Sequence, residues 1–180
     1  FGGSKEEESV SVAVDSSGNV YTTGWFRAAG DFDPGPGTTN LTPISGDADV
    51  TTDIFVSKLD SSGNLVWAKN FGAVIGSINF SITRSTAMVV DSSDNIYITG
   101  SSTGTVDFDP GPGTANFTVV DGNDKTFVLK LDSSGNLVWV KRIGSRTVTS
   151  IALDSSGNIY TTGDFSGTAD FDPGPGTTNL

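Results

Sequence analysis

Asp-Phe-Asp-Pro-Gly-Pro-Gly occupies residues 31–37, and the same seven residues return at 107–113 and at 170–176. Six of the seven prolines lie in these three copies, so proline serves one repeated device. Pro34 and Pro36 fix their own φ and push Asp33 and Gly35 toward extended geometry. Gly35 and Gly37 permit the turns that Pro-Gly pairs favour. The stretch reads as a rigid, sharply bent loop. Phe32 is expected to point inward as a plug, with Asp31 and Asp33 facing out.

The same strand-like segments recur around each copy. Val10, Val12 and Val14 alternate with Ser11, Ala13 and Asp15, the period-2 mark of a strand. Asp-Ser-Ser-Gly-Asn at 15–19 reads as a hairpin turn, in which Asp and Ser cap local amides and Gly18 supplies a positive φ. A second strand follows at 20–26, then a long loop carrying the motif, a third strand at 54–59, a second such turn at 60–64 and a fourth strand at 65–71. The next unit repeats these pieces, with turns at 91–95 and 132–136. Asp94 takes the turn glycine's place there, and Asp is among the few residues that tolerate that conformation. A third unit has a strand at 151–153, the turn at 154–158, a strand at 159–163 and the motif at 170, and stops at Leu180, before a third strand. The charge run at 4–9 reads as a solvated linker. Asn40-Leu41-Thr42 and Asn116-Phe117-Thr118 match a glycosylation acceptor but read as edge-strand residues.

Composition narrows the function classes. The 180 residues carry 21 acids against 10 Lys and Arg, for a net charge of -11. All three glutamates sit together at 6–8; the remaining acids are aspartates, mostly at turns. Such a surface repels a nucleic-acid backbone or an anionic membrane, so neither partner is expected. With no cysteine and no histidine, disulfides, thiolate metal sites and Ser-His triads are excluded. The chain opens in mid-pattern and reads as a portion of something longer, with no apolar run long enough to span a bilayer.

Four antiparallel strands per repeat, without a helix signal, describe the blade of an all-β β-propeller, and about two and a half blades are expected in this chain. Residues 1–3 read as the end of a preceding blade, 9–72 and 86–144 as complete blades, and 148–180 as the first half of a further one, all in one partial propeller domain. Tyr21, Tyr97 and Tyr160 share one place, two residues after the turn asparagine; Trp67 and Trp139 share another. Equivalent large aromatics are what stacked sheets need to cover one another's faces.

The segments Ile-Ala-Leu-Asp-Ser-Ser-Gly-Asn-Ile-Tyr-Thr-Thr-Gly (151–163) and Phe-Val-Ser-Lys-Leu-Asp-Ser-Ser-Gly-Asn-Leu-Val-Trp-Ala-Lys (55–69) resemble the bacterial β-propeller repeat family called SBBP. The resemblance covers nearly the whole chain except 4–9 and 73–86. It implies an exported or cell-surface bacterial repeat protein with no catalytic set to carry over. The expected function is a non-enzymatic structural or interaction module, presenting loops on a rigid propeller to a protein or glycan partner. The protein partner would be the remaining blades, another subunit, or export and surface machinery, drawn to the open edge that follows residue 180. The alternative is a calcium-stabilised adhesive domain. In it Asp31 and Asp33, Asp107 and Asp109, and Asp170 and Asp172 supply carboxylates, with Pro-Gly carbonyls completing each site. A carbohydrate-active enzyme built on those carboxylate pairs ranks third, because a site copied identically in successive repeats is unlike an active centre.

Overall fold

The computed structural model describes residues 2–44, 51–73, 81–119, 125–144 and 147–179. Every element is a strand: β1 (Gly2–Gly3), β2 (Glu7–Val14), β3 (Val20–Phe26), β4 (Gly30–Asp31), β5 (Asn40–Leu41), β6 (Thr51–Leu59), β7 (Leu65–Ala73), β8 (Ser81–Val90), β9 (Ile96–Ser102), β10 (Thr105–Asp107), β11 (Asn116–Thr118), β12 (Lys125–Leu131), β13 (Leu137–Ile143), β14 (Thr147–Leu153) and β15 (Ile159–Asp164). Two four-stranded antiparallel sheets, β2-β3-β6-β7 and β8-β9-β12-β13, are followed by the hairpin β14-β15. The fold is all-β and carries the four-stranded blades that the repeat predicts. Corresponding strands even share an irregularity. The first strand of each unit bulges at one register position, between Ser9 and Ser11, Ser85 and Ala87, and Val148 and Ser150.

Some strand limits differ from the sequence reading. β2 begins at Glu7, inside the charge run read as a linker, because Glu7 and Glu8 pair with Phe26 and Trp25 of β3, and the Glu7 carboxylate also accepts the Gly3 amide on both oxygens at 2.9 and 2.8 Å. β6 begins at Thr51 and β8 at Ser81; their first residues pair in parallel, Thr51 with Ser81 and Thr52 with Ile82. Phe1 and Leu180 lie outside the described residues.

The sheets pack face to face. Tyr21, Ile54, Val56 and Phe71 of the first sheet meet Met88, Ile96, Ile98, Leu129 and Leu131 of the second in one buried cluster. Tyr97, Val128 and Ile151 form the corresponding cluster against the third unit, with Trp139 packed on it. The repeated aromatics stack alike. The Tyr21 and Trp67 rings lie 6.3 Å apart edge to face, and Tyr97 and Trp139 6.2 Å. A lysine covers each tyrosine, with Lys58 at 4.9 Å and Lys130 at 4.8 Å. Trp67 reaches the next sheet, donating from Nε1 to the Ser133 carbonyl, while Lys69 donates to Asn136 Oδ1. Tyr160 occupies the same register place but is 57% exposed.

Five hairpin turns share one hydrogen-bond pattern. In the first, Asp15 Oδ1 accepts the amides of Ser17 and Asn19, and Oδ2 accepts Asn19 Nδ2 and the Tyr21 hydroxyl. Asp60, Asp91, Asp132 and Asp154 repeat the three contacts to the turn, and Asp91 and Asp154 also take the hydroxyls of Tyr97 and Tyr160. The fourth turn residue is left-handed in every case, Gly18, Gly63, Gly135 and Gly157 having φ of 76–84° and Asp94 62°. Burial pushes the Asp15 and Asp91 carboxyls up, but the hydrogen bonds from Asn19 and Tyr21, and from Asn95 and Tyr97, outweigh it and hold both below their ordinary value of 3.8. At Asp60 and Asp154 the bonds from Asn64 and Asn158 dominate outright, with the same result. Burial, together with the bond to Asp15, pushes the Tyr21 hydroxyl above the ordinary phenol range.

Carboxylates held below their unfolded pKa stabilise the fold above that value, and the contribution disappears as pH falls through the folded pKa. Thermal melts should therefore be insensitive to pH above about 5 and lose Tm steeply below about 4. At neutral pH, Asp91→Ala should cost about 1–3 kcal/mol by leaving amide and hydroxyl donors unmatched, as read by chemical denaturation. A loss smaller than that of an exposed serine substitution would contradict the assignment.

Candidate functional site: the straps at the sheet boundaries

The repeated Asp-Phe-Asp-Pro-Gly-Pro-Gly loops each fold into a narrow strap, formed by β4-β5 in the first unit and β10-β11 in the second. In the third unit an isolated bridge joins Asp170 to Asn179. The first aspartate of every copy thus faces an asparagine across the strap, with Asp31 opposite Asn40 and Asp107 opposite Asn116.

Each strap also pairs backward in sequence. β10 of the second unit pairs with the end of β7, the last strand of the first sheet, through Val106–Ala73 and Asp107–Gly72. β4 pairs in the same way with β1, through Gly2–Asp31 and Gly3–Gly30. In the third unit the Gly144 amide donates to the Asp170 carbonyl at 2.8 Å. The second and third straps are therefore hydrogen-bonded to the end of the outer strand of the unit before them, and the first strap is bonded in the same way to β1. Glycine is required at the join. A Cβ on Gly144 would run into the Asp170 backbone, and one on Gly72 into the buried carboxylate of Asp53.

The phenylalanine is the plug that the sequence predicts. Phe32 is buried against Phe26 and Phe55, with ring centroids at 5.4 and 4.9 Å. Phe108 is buried among Phe127 at 4.6 Å, Phe117 at 5.9 Å and Phe71 at 6.3 Å, so it touches both sheets. Phe171 has the equivalent place and meets Phe165 at 5.3 Å.

The six candidate aspartates come together as three pairs and turn onto their own loops. Asp31 Oδ1 accepts the amides of Asp33 at 3.0 Å and Thr39 at 2.8 Å, and Asp33 Oδ1 accepts Gly35 at 2.7 Å. Asp107 and Asp109 hold Asp109, Ala115 and Gly111 in the same way; Asp170 and Asp172 hold Asp172, Thr178 and Gly174. The amides of Asp33 and Thr39 hold the Asp31 carboxyl below its ordinary value, and those of Thr178 and Asp172 do the same for Asp170. A Cβ on Gly37, Gly113 or Gly176 would strike the second carboxylate oxygen of Asp33, Asp109 or Asp172. The loop's second glycine is thus dictated by the folded-back aspartate.

These donors fit a resident calcium poorly. Calcium takes six to eight oxygens, whereas each strap brings two carboxylates together, each with one oxygen already on backbone amides. Among the described residues, no group of three or more acidic side chains converges on a point. The tips are exposed in all three copies, so the strap joins a fixed base to a presented tip. Sequence reasoning missed the backward pairing, whose signal was the glycine placed after a large apolar residue at Gly2, Gly72 and Gly144.

Comparison with known proteins agrees with this geometry. The β-propeller repeat SBBP matches residues 66–108 and 138–169. An uncharacterized WD repeat-containing protein of Acanthamoeba polyphaga mimivirus is 31% identical over 188 aligned residues, covering 89% of this chain and 12% of that protein. The chain therefore spans about one eighth of that relative's length. The matched repeat begins in the outer strand of one sheet and runs through the boundary toward the strap of the next. Two stretches of this chain accordingly match the SBBP β-propeller repeat, and the four-stranded antiparallel sheets are blades of a β-propeller fold.

Proposed function

We propose that the chain is a non-enzymatic interaction module of an exported or cell-surface protein, which presents its strap tips to a protein or glycan partner. One observation carries the reading. The same seven residues build the same strap three times, with their carboxylates turned inward onto backbone amides and residues 34–38, 111–114 and 174–179 exposed. A chemical centre needs unlike groups converging once, whereas a row of identical rigid tips suits a partner met at several points, with the gain of multivalency. Propeller repeats and a WD repeat-containing relative support an interaction module at the coarse level. Calcium stabilisation of an adhesive surface is the competing reading, and it rests on the three aspartate pairs.

Treating intact source cells with a membrane-impermeant amine reagent tests the location. Labelling of the full protein before lysis is expected; labelling only after lysis would refute surface presentation. Strap variants separate stiffness from metal binding. Asp107→Asn keeps an oxygen for the Asp109 and Ala115 amides and should melt close to the parent, whereas Asp107→Ala should melt distinctly lower. Excess chelator should leave Tm unchanged. A clear drop with chelator, restored by calcium and absent in Asp107→Asn, would favour the calcium reading instead.

A further inference from the structure

The repeat gives every residue a counterpart, so positions that break it stand out. At one corner Glu8, Arg84 and Thr147 are equivalent on the first strands, and Trp25, Ser101 and Asp164 are their cross-strand partners. Where the second sheet meets the third unit, the equivalent positions are the small residues Ser101 and Thr147. Where the first sheet meets the second, they are Trp25 and Arg84 instead. The frame itself does not call for that pair, since the other boundary closes without it.

Trp25 is 8% exposed, and the Arg84 guanidinium carbon lies 4.6 Å from its ring centroid. The three glutamates of the strand entry are engaged, Glu7 on the Gly3 amide. Glu8 Oε2 accepts the Trp25 indole N–H at 3.2 Å, and Glu6 Oε2 lies 3.6 Å from Arg27 Nε. Arg84 Nε is buried and has no hydrogen-bond partner among the described residues. Two further buried donors on the same strand ends, Thr83 Oγ1 and its cross-strand neighbour Ser102 Oγ, are likewise unmatched. In a chain with 21 acids and 10 cations, an arginine with no carboxylate partner among the described residues is conspicuous, and a buried charged donor left unmatched is costly.

We propose that Arg84, stacked on Trp25, is a binding site for a single carboxylate, of the kind a sugar acid carries. Guanidinium is planar and offers parallel N–H donors that match a carboxylate, while the indole face holds its plane fixed. A monoanion is favoured over a polyanion or phosphate dianion because Glu6, Glu7 and Glu8 lie on the strand entry next to it. Trp25 acts as the positioning residue, and Glu8 orients its indole.

The test is calorimetric titration of the chain with sodium glucuronate and with acetate, with glucose as the neutral counterpart and inorganic phosphate as the alternative anion, at constant ionic strength. Both carboxylates should bind and glucose should not. Arg84→Gln should weaken carboxylate binding by about tenfold or more with the fold retained by circular dichroism. Should Arg84→Gln fail to fold, Arg84→Lys keeps the charge over Trp25 without the fork, and binding several-fold weaker than the parent is expected. Unchanged affinity in the folded variant, absence of carboxylate binding, or phosphate binding as tight as acetate would each overturn the assignment.

Discussion

A charged oxygen accepting amides from the next few residues is the interaction on which this structure rests. It closes the five hairpin turns through Asp15, Asp60, Asp91, Asp132 and Asp154, and it folds the three straps through their paired aspartates. Strand hairpins need bends whose backbone donors would otherwise look to water, and a carboxylate satisfies two of them with one side chain. The acidity of the chain follows from this. Most aspartates are structural acceptors at bends, so the net charge of -11 reflects how many corners a chain of short strands must turn.

Between the sheets a different interaction takes over. Each boundary buries aliphatic side chains from two sheets around a tyrosine, whose hydroxyl returns to the turn aspartate of its own hairpin. Tyr21 and Tyr97 thus belong to the local turn and to the packed boundary at once. A lysine over each ring and an edge-on tryptophan complete the stack. The strap adds backbone hydrogen bonds to the preceding sheet, a directional contact that apolar packing does not supply.

Much of this was legible in the residues. The four-strand repeat, the turns, the left-handed Asp94 and the inward Phe32 follow from period, turn chemistry and equivalence between copies. What resisted reading was whatever depends on contacts far apart in sequence. The joining of strap to preceding outer strand depends on Gly72 meeting Asp107, and nothing local to either announces the other. Glu7 was hidden for the opposite reason: a run of like charge suggests solvation, yet this carboxylate grips the Gly3 amide. Asp31 and its counterparts carried two readings because Asp-x-Asp before Pro-Gly suits an ion and a capped turn alike. Only the direction of the carboxylate oxygens shows which amides they hold. Arg84 needed comparison between units, since its significance lies in differing from Glu8 and Thr147.

The matched repeat runs out of step with the sheet, from the outer strand of one blade into the strap region of the next. The matched segment is thus a seam, with the outer strand of one blade on one side and the first hairpin of the next blade on the other. A gene that gains or loses one such segment gains or loses a joint, because Gly72 and its strap partner Asp107 are carried on the same stretch. New neighbours then meet through a contact that was never divided, and the number of blades can drift between descendants without any boundary having to be reinvented.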